Sequence, residues 1–439
     1  MYRHARRLRP GCGIGPVLSV HVAGMMRAIT RATAWMRPGS KGRWRIRRSS
    51  ARACNRAWLA LALCVCVAAQ VHGRELVFDN LGEPARVVAD GGHHLLHHRG
   101  RQIRVRLSDR LLVSAPPSVT ADDLRRMEAD IVQVQQLSAQ GTACIWLLTV
   151  STGRLADVLH VLQAQPVLRG VQPDLLQVRA PAAIPVARPG ATATQQPPIA
   201  PAGEAPGVRV AIIDDGFDFA HPSLAGVQVL LQYDADQRIA DASPKVPADG
   251  HGTRVAGVIL AVGAGDASDS VAAPPGLIAI RQASSWSSDL VLAFSVARLM
   301  HADVVNASWV LGYLPQPLAE LVEDWQRDAL PPYVVAAAGN DARDACEANA
   351  LAGIESVWLV GALDGHGHAT AYSNHGECVS LSAPAPHTSA REGGGYGPFD
   401  GTSAAAAHVS ALLVRALGRG ERPDLEAMRR QLATTEAAR

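Results

Sequence analysis

The sequence has very little lysine, and its first 57 residues contain no acidic residue at all. Lysine occurs only at Lys41 and Lys245, so arginine supplies nearly all of the positive charge. The net charge of +3 is misleading, because residues 1–57 hold 14 basic residues and leave 28 basic against 39 acidic residues in the rest. That remainder carries a net charge of −11, which argues against nucleic-acid binding, since phosphate recognition needs a basic face.

A long apolar run is also missing. The basic leader ends in an apolar stretch at residues 57–69, which is short for a membrane span and finishes in small residues. This pattern is typical of a secretory signal, with cleavage after Ala69 or after Gly73 fitting about equally well. An uncleaved anchor is the alternative, but we expect no stable membrane anchor and predict export to a periplasm or out of the cell.

Cysteine is scarce beyond this leader, which we assign to residues 1–73. Only Cys144, Cys346 and Cys378 remain there. An oxidising compartment would permit one disulfide and would leave one thiol.

Residues 74–178 read as a small α+β unit. Strands are predicted at residues 110–114, 144–150 and 167–178, and helices from Thr120 to about Val134 and from 154 to about 165. Four histidines at positions 93, 94, 97 and 98 suggest a metal site, but no carboxylate or cysteine set accompanies them. We therefore interpret this stretch as a solvated loop.

A proline- and alanine-rich linker follows at residues 179–206, and the pattern then changes. From residue 207 to 439, continuous apolar strands alternate with helices, which indicates an α/β domain with a mostly parallel sheet covered on both faces. Strands are expected at residues 208–213, 277–283, 303–310, 333–338 and 356–363. Reactive groups in such sheets gather beyond the carboxyl ends of the strands.

Four polar residues stand at such ends or at helix starts. Asp214 ends a strand, His251 begins a helix, and Asn340 follows the 333–338 strand. Ser403 begins an apolar helix that runs to about Leu417, where the positive end of the helix dipole favours developing negative charge. Acyl transfer by serine needs a base, an acid that orients the base, and oxyanion donors. Each residue alone has an ordinary structural explanation, so only the set points to this chemistry.

At this point the chain resembles the subtilases, the subtilisin-like serine peptidases, over about residues 207–417. The matching segments, in chain order, are VAIIDDG (210–216), HPSL (221–224), HGTRVAG (251–257), the turn at Asn340, YSNHG (372–376) with SAP (382–384), and GTS (401–403). The resemblance implies a three-layer subtilisin-like domain. It is nearest to the branch that contains proteinase K and aqualysin-like enzymes.

The resemblance also implies roles. Ser403 would be the nucleophile, His251 the general base and Asp214 its orienting acid, since the family's aspartate lies two residues before the glycine. Asn340 and the backbone N–H of Ser403 would bind the oxyanion. The groove would be lined by residues 308–310 and 339, that is, by Ser308, Trp309, Val310 and Gly339. Cys346 and Cys378 resemble a disulfide pair of the named branch.

Some positions depart from the family. Ala404 and Ala407 replace the usual Met and Pro, and Val310 stands where small residues usually line the groove. Ser223 occupies a position where many members have a calcium-binding aspartate. We therefore expect no cofactor and no metal, with structural calcium only if other ligands replace that residue.

Residues 74–178 are similar in pattern to subtilase propeptides, which chaperone folding and block the cleft. The resemblance thus implies an exported, self-processing serine endopeptidase whose partners are its own propeptide-like domain and a protein or peptide substrate; we expect a monomer. Two alternatives stay open: a narrow-specificity processing peptidase or transamidase, and a degenerate subtilase that binds peptides without cleaving them.

Overall fold

The computed structural model describes residues 75–139, 141–177, 207–264 and 275–437. These belong to one unit that spans Glu75–Arg439. The predicted leader and the 179–206 linker lie outside the described residues. Among the described residues, no helix is both long enough and apolar enough to cross a bilayer.

The second half of the chain is built on a seven-stranded sheet in which every neighbouring pair is parallel. Its strands are β8 (Arg209–Asp214), β9 (Val229–Asp234), β10 (Gly276–Arg281), β11 (Val304–Ala307), β12 (Tyr333–Ala337), β13 (Val357–Leu363) and β14 (Leu381–Pro384). Their order across the sheet is β14-β13-β12-β11-β8-β10-β9. The central strands are apolar on both faces, since every residue of 210–213 is fully buried, as expected of a covered parallel sheet.

Helices cover both faces of this sheet. They are α3 (Pro222–Ala225), α4 (His251–Ala264), α5 (Ser287–Leu299), α6 (Gln316–Asp324), α7 (Ala345–Ala348), α8 (Thr402–Gly418) and α9 (Leu425–Ala437), and a hairpin of β15 (His387–Ala390) and β16 (Tyr396–Phe399) lies beside them. Helices α4 and α8 share one buried apolar cluster, and α5 and α6 share the other. The predicted three-layer α/β architecture is confirmed.

The N-terminal module is a second, antiparallel sheet with two helices. Its strands are β1 (Leu76–Asn80), β2 (Glu83–Asp90), β3 (His93–His98), β4 (Arg101–Ala115), β5 (Ile131–Ser138), β6 (Cys144–Val150) and β7 (Gly170–Gln177), and its helices are α1 (Ala121–Met127) and α2 (Leu155–Gln163). Strands β1 to β4, then β6 and β5, follow one another across the sheet, and β7 pairs with β4. The module thus contains strands and helices, but it is richer in strands than predicted, since β1, β2, β3 and β5 lie where no strand was expected.

Three local predictions were wrong. The histidine-rich stretch is not a loop but strand β3, which pairs with both β2 and β4. Helix α1 has the predicted cap at Thr120, but it ends at Met127 and residues 131–134 already belong to β5. The strand expected at residues 303–310 ends at Ala307, and beyond it the indole of Trp309 donates to the carbonyl of Ile213 at 2.7 Å.

The module and the parallel-sheet domain share a core. Leu112, Ile145 and Leu147 of the module belong to the same buried cluster as Phe294 of α5 and Leu321 of α6. Burial of this kind stabilises by roughly 25 cal/mol for each Å² of apolar surface removed from water. The module is therefore held against α5 and α6 by apolar packing, and not by polar contacts alone.

Candidate active site

Asp214 and His251 are brought together by the packing of α4 beside β8. Asp214 is the last residue of β8 and is 3% exposed, whereas His251 is the first residue of α4. Nδ1 of the imidazole lies 2.9 and 3.1 Å from the two carboxylate oxygens of Asp214. Burial lowers the pKa of His251, but the charge of Asp214 and this hydrogen bond outweigh it, so that the pKa is raised. With Nδ1–H donated to Asp214, Nε2 is left to accept a proton.

Asp215, the adjacent carboxylate, has a different position. It accepts the backbone N–H groups of Gly252 at 2.9 Å and of His251 at 3.3 Å. A carboxylate at this position caps the first turn of α4. Burial, and then the charge of Asp214, raise the pKa of Asp215 to about 7. Asp215 therefore holds the helix that carries His251.

Ser403 is the second residue of α8, as the sequence predicts for a serine at a helix start. Its hydroxyl donates to the backbone carbonyl of Ser308 at 2.8 Å, and its own carbonyl accepts from the Ser308 hydroxyl at 3.0 Å. These two bonds tie the start of α8 to the segment after β11. The ring of Phe399, four residues before Ser403, packs edge-on against His251 with 5.4 Å between ring centroids.

Asn340 lies beside the turn that precedes Ser403. Its Oδ1 accepts the backbone N–H and the hydroxyl of Thr402, both at 2.9 Å, which fixes the amide orientation and leaves Nδ2 as the donor end. Gly401 has φ +93°, and a Cβ placed there would lie 3.1 Å from Nδ2 of Asn340. Thr402 also accepts the N–H of Gly339 at 3.0 Å. The turns at 339–340 and 401–403 are thus joined directly.

A model of the subtilase family (Peptidase_S8) matches residues 205–438, which is more than half of the chain. The chain belongs to the subtilase family. The family predicted from the motifs is therefore confirmed, and Asp214, His251, Asn340 and Ser403 all lie within its matched region.

Two curated relatives and one solved structure illustrate the similarity. A thermophilic serine proteinase from Bacillus sp. (strain AK1) is 32% identical over 214 residues, covering 47% of this chain and 51% of the relative. Subtilisin E from Bacillus subtilis (strain 168) is 28% identical over 210 residues, covering 46% and 53%. The crystal structure of a cold adapted subtilisin-like serine proteinase is 28% identical, covers 52% of this chain and 81% of that chain, and has a TM-score of 0.43. The chain thus spans about half the length of these curated relatives.

The four residues predicted for the groove of this subtilase differ in their surroundings. Ser308 is buried and contacts Ser403 as described. The indole of Trp309 packs edge-on against Phe294 in the core, which leaves only the Trp309 backbone to line a groove. Val310 and Gly339 lie side by side, since a Cβ on Gly339 would stand 3.1 Å from Cγ1 of Val310. Val310 therefore covers the backbone that follows β12.

The predicted disulfide is present in the subtilase domain. Cys346 of α7 is bonded to Cys378, which precedes β14, with 5.2 Å between their Cα atoms. The third cysteine, Cys144, is buried in β6.

Ser223 and the histidines of β3 are the positions at which the sequence raises the question of a metal site. The Ser223 hydroxyl donates to the Tyr396 hydroxyl at 2.9 Å, and its N–H donates to Nδ1 of His221 at 3.0 Å. In the described ranges of the chain, no group of three or more His, Cys, Asp or Glu side chains could hold a metal ion. The absence of a cofactor stays a prediction.

Sequence reasoning missed the residues that hold the end of β7 against the segments before α5 and α6. Leu176 pairs antiparallel with Trp286, and the N–H of Gln177 donates to the Ser285 carbonyl at 3.3 Å. The Gln177 side chain bonds to both backbone groups of Tyr313. The two residues in each of these contacts are more than 100 positions apart in the sequence, so no local pattern predicts them.

Proposed function

We propose that this subtilase is a serine endopeptidase that cleaves peptide bonds through an acyl-enzyme. The observation that carries the proposal is the paired Asp214 and His251, together with an Asn340 side chain bonded to the turn that presents Ser403. A residue that only caps a helix or ends a strand would have no reason to lie beside the other three residues of this set. Jointly they supply the base, its orienting acid, the nucleophile and a donor for the oxyanion.

The reaction follows from these positions. The Ser403 hydroxyl exchanges its bond to the Ser308 carbonyl for one to Nε2 of His251, which takes the proton as the oxygen attacks the peptide carbonyl. Asp214 keeps Nδ1–H and stabilises the imidazolium. Nδ2 of Asn340 and the N–H of Ser403, one of the unpaired amides of the first helical turn, receive the oxyanion. His251 then gives its proton to the leaving amine, and water releases the acyl group by the reverse path.

Covalent labelling with a fluorophosphonate tests this proposal. We expect the unaltered chain to be labelled at Ser403, and Ser403→Ala and His251→Ala to lose the label. Ser410→Ala is a matched control, because that serine lies in the same helix and its hydroxyl is bonded to Asn306, away from Asp214 and His251. An unlabelled chain that is folded by circular dichroism would contradict the proposal and would favour a subtilase that only binds peptides.

We also propose that the enzyme is made as a zymogen, with the module of residues 74–178 as its propeptide. The support is that the module packs on α5 and α6 and that its last strand ends against Ser285 and Tyr313. Self-cleavage would then fall in the 179–206 linker. Mass spectrometry over time should show the unaltered chain shortening to a fragment that starts in that linker, while Ser403→Ala stays whole. Equal processing of both chains would mean that another protease makes the cut.

Export to a periplasm or to the outside is part of the same proposal. It is supported by the leader at residues 1–73 and by the Cys346–Cys378 disulfide, because disulfides persist in oxidising compartments. Fractionation of expressing cells, with thiol labelling of both cysteines, should find the oxidised protein outside the cytosol. A reduced protein confined to the cytosol would contradict it.

A narrow substrate range is favoured over broad digestion by one contact. Val310 lies against Gly339, so the space beside the nucleophile is smaller than a glycine at position 310 would leave. A processing peptidase that acts on few sequences fits this better than a digestive enzyme. Profiling of a peptide library would decide: turnover confined to a small set of sequences is expected, and uniform turnover would refute it.

A further inference from the structure

The end of β7 lies between two backbone segments of the subtilase domain. One is Ser285–Trp286, which leads into α5, and the other is Gly312–Tyr313, which leads into α6. Leu176 pairs antiparallel with Trp286, and the Gln177 N–H donates to the Ser285 carbonyl at 3.3 Å. Both segments follow strands next to β8 in the central sheet.

The Gln177 side chain makes a reciprocal pair of hydrogen bonds with Tyr313. Its Nε2 donates to the Tyr313 carbonyl at 2.7 Å, and its Oε1 accepts the Tyr313 N–H at 2.9 Å. Gln177 is 4% exposed and Tyr313 is 2% exposed, so water does not replace these partners. Beside them, a Cβ on Gly312 would lie 3.5 Å from Oε1.

This geometry is selective because, among side chains at neutral pH, a primary carboxamide presents a donor and an acceptor on the same carbon and in one plane. Glutamate would place a second acceptor against the Tyr313 carbonyl, and methionine of similar length would leave both backbone groups without partners. A buried backbone group without a partner is costly, typically by about 1–3 kcal/mol. Asparagine has the right chemistry but is shorter by one methylene.

The contact between Gln177 and Tyr313 lies within a short stretch of chain from Ser403. The Ser308 carbonyl accepts the Ser403 hydroxyl, and Tyr313 follows Ser308 by five residues. Five residues of extended chain span at most about 18 Å, so Tyr313 is within reach of a few substrate residues from the nucleophile. Gln177 immediately precedes residue 178 and the linker, which places it on the amino-terminal side of any bond cut there.

We infer that Ser285 and Tyr313 form a subsite that selects glutamine, in polypeptide substrates, on the amino-terminal side of the cleaved bond. The inference rests on the proposed peptidase function and adds to it a class of substrate. In the intact chain, Gln177 of the module occupies the subsite in the manner of such a substrate.

Cleavage kinetics test the selection. We would compare peptides that copy residues 172–206 with Gln177 kept, or replaced by Glu or Met, using enzyme that labels with a fluorophosphonate. Replacement should lower kcat/KM by about 10-fold to 100-fold, the factor that corresponds to loss of such a buried pair. A peptide with Ala in place of Pro173, which pairs with Leu111 of β4, and with Gln177 intact is the control and should be cleaved like the parent. Equal kcat/KM for all four peptides from a labelled enzyme would overturn the inference and leave the peptidase function standing.

Hydrogen exchange gives a readout that does not need catalysis. In full-length Ser403→Ala, the Tyr313 amide should exchange about 10-fold or more faster in Gln177→Met than in the parent, whereas Gln163→Met, on the surface of α2, should leave it unchanged. If the unaltered chain takes no fluorophosphonate label, the proposed peptidase function fails. The exchange measurement then decides by itself whether Tyr313 binds the glutamine carboxamide. An unchanged Tyr313 exchange rate in Gln177→Met would overturn the inference.

Discussion

Asp289, in the first turn of α5, is a buried carboxylate at the contact between the module and the subtilase domain. Its Oδ2 accepts the Ser284 hydroxyl at 3.0 Å, and its Oδ1 lies 3.8 Å from the guanidinium of Arg238. Two other carboxylates lie nearby: Asp174 of β7, paired with an arginine of β4 at 2.7 Å, and Asp236, which accepts from the same serine. Burial, and then the charges of Asp174 and Asp236, raise the pKa of Asp289 to about 7.

The sign of the effect on stability follows from this shift. The folded chain holds the Asp289 proton more tightly than the unfolded chain, in which the pKa is near 3.8. The stabilisation by the protonated group is complete below pH 3.8, falls as the pH rises through about 7, and stays lost above it. About three pH units at about 1.4 kcal/mol each give an upper limit of about 4 kcal/mol.

Asp289→Asn removes this titration with little change in shape. In a Ser403→Ala background that prevents self-cleavage, we expect its free energy of unfolding to gain on the parent by about 2–4 kcal/mol between pH 4 and pH 8. Urea unfolding at several pH values measures this difference. Asp341→Asn, at an exposed carboxylate, is the control and is measured at the same pH values. A pH-independent difference for Asp289→Asn would refute the reasoning.

Three further changes probe the site and its frame. Asn340→Ala should lower kcat by about 10²- to 10³-fold with folding intact, a magnitude measured on subtilisin for the loss of one oxyanion donor; unchanged kcat would exclude Asn340 from that role. Gly401→Ala should strain a backbone at φ +93° and place a methyl group against Nδ2 of Asn340. We therefore expect a lower melting temperature and slower fluorophosphonate labelling. If neither quantity changes, the turn is not held as described. Replacing Cys346 and Cys378 together with serine should cost about 4 kcal/mol in urea unfolding, from the 32-residue separation that the disulfide closes. An unchanged midpoint would mean that the loop is constrained by other contacts.

The parts of the site that the sequence predicts are those set by local junctions. Asp214 ends a continuous apolar strand, and Ser403 is the second residue of a helix that begins directly after Gly401, so each can be placed from its near neighbours. The parallel sheet is predictable for the same reason, since its strands are apolar without alternation. How Asn340 is oriented, by contrast, depends on Thr402, which is 62 residues away.

The other parts of the fold and of the site depend on contacts between residues that are far apart in the sequence. Asn80 fixes the end of β1 by accepting the N–H of Gln316, 236 residues away, and donating to the Leu314 carbonyl. Strand β3 was missed because its histidines dilute the apolar alternation, and it becomes a strand by pairing on both sides. Trp309 was expected in the groove, but its indole finds a buried carbonyl acceptor, which decides its direction.

Because the module and the subtilase domain share a core, cleavage of the linker and dissociation of the module are two separate events. Cutting the linker breaks a covalent bond, yet it leaves Leu112, Ile145 and Leu147 packed with Phe294 and Leu321. On the proposed zymogen, the cleaved protein would therefore elute as one species from a sizing column while running as two bands on a denaturing gel. Activity would then appear at the rate at which the two pieces come apart, and a nick alone would be a poor measure of active enzyme.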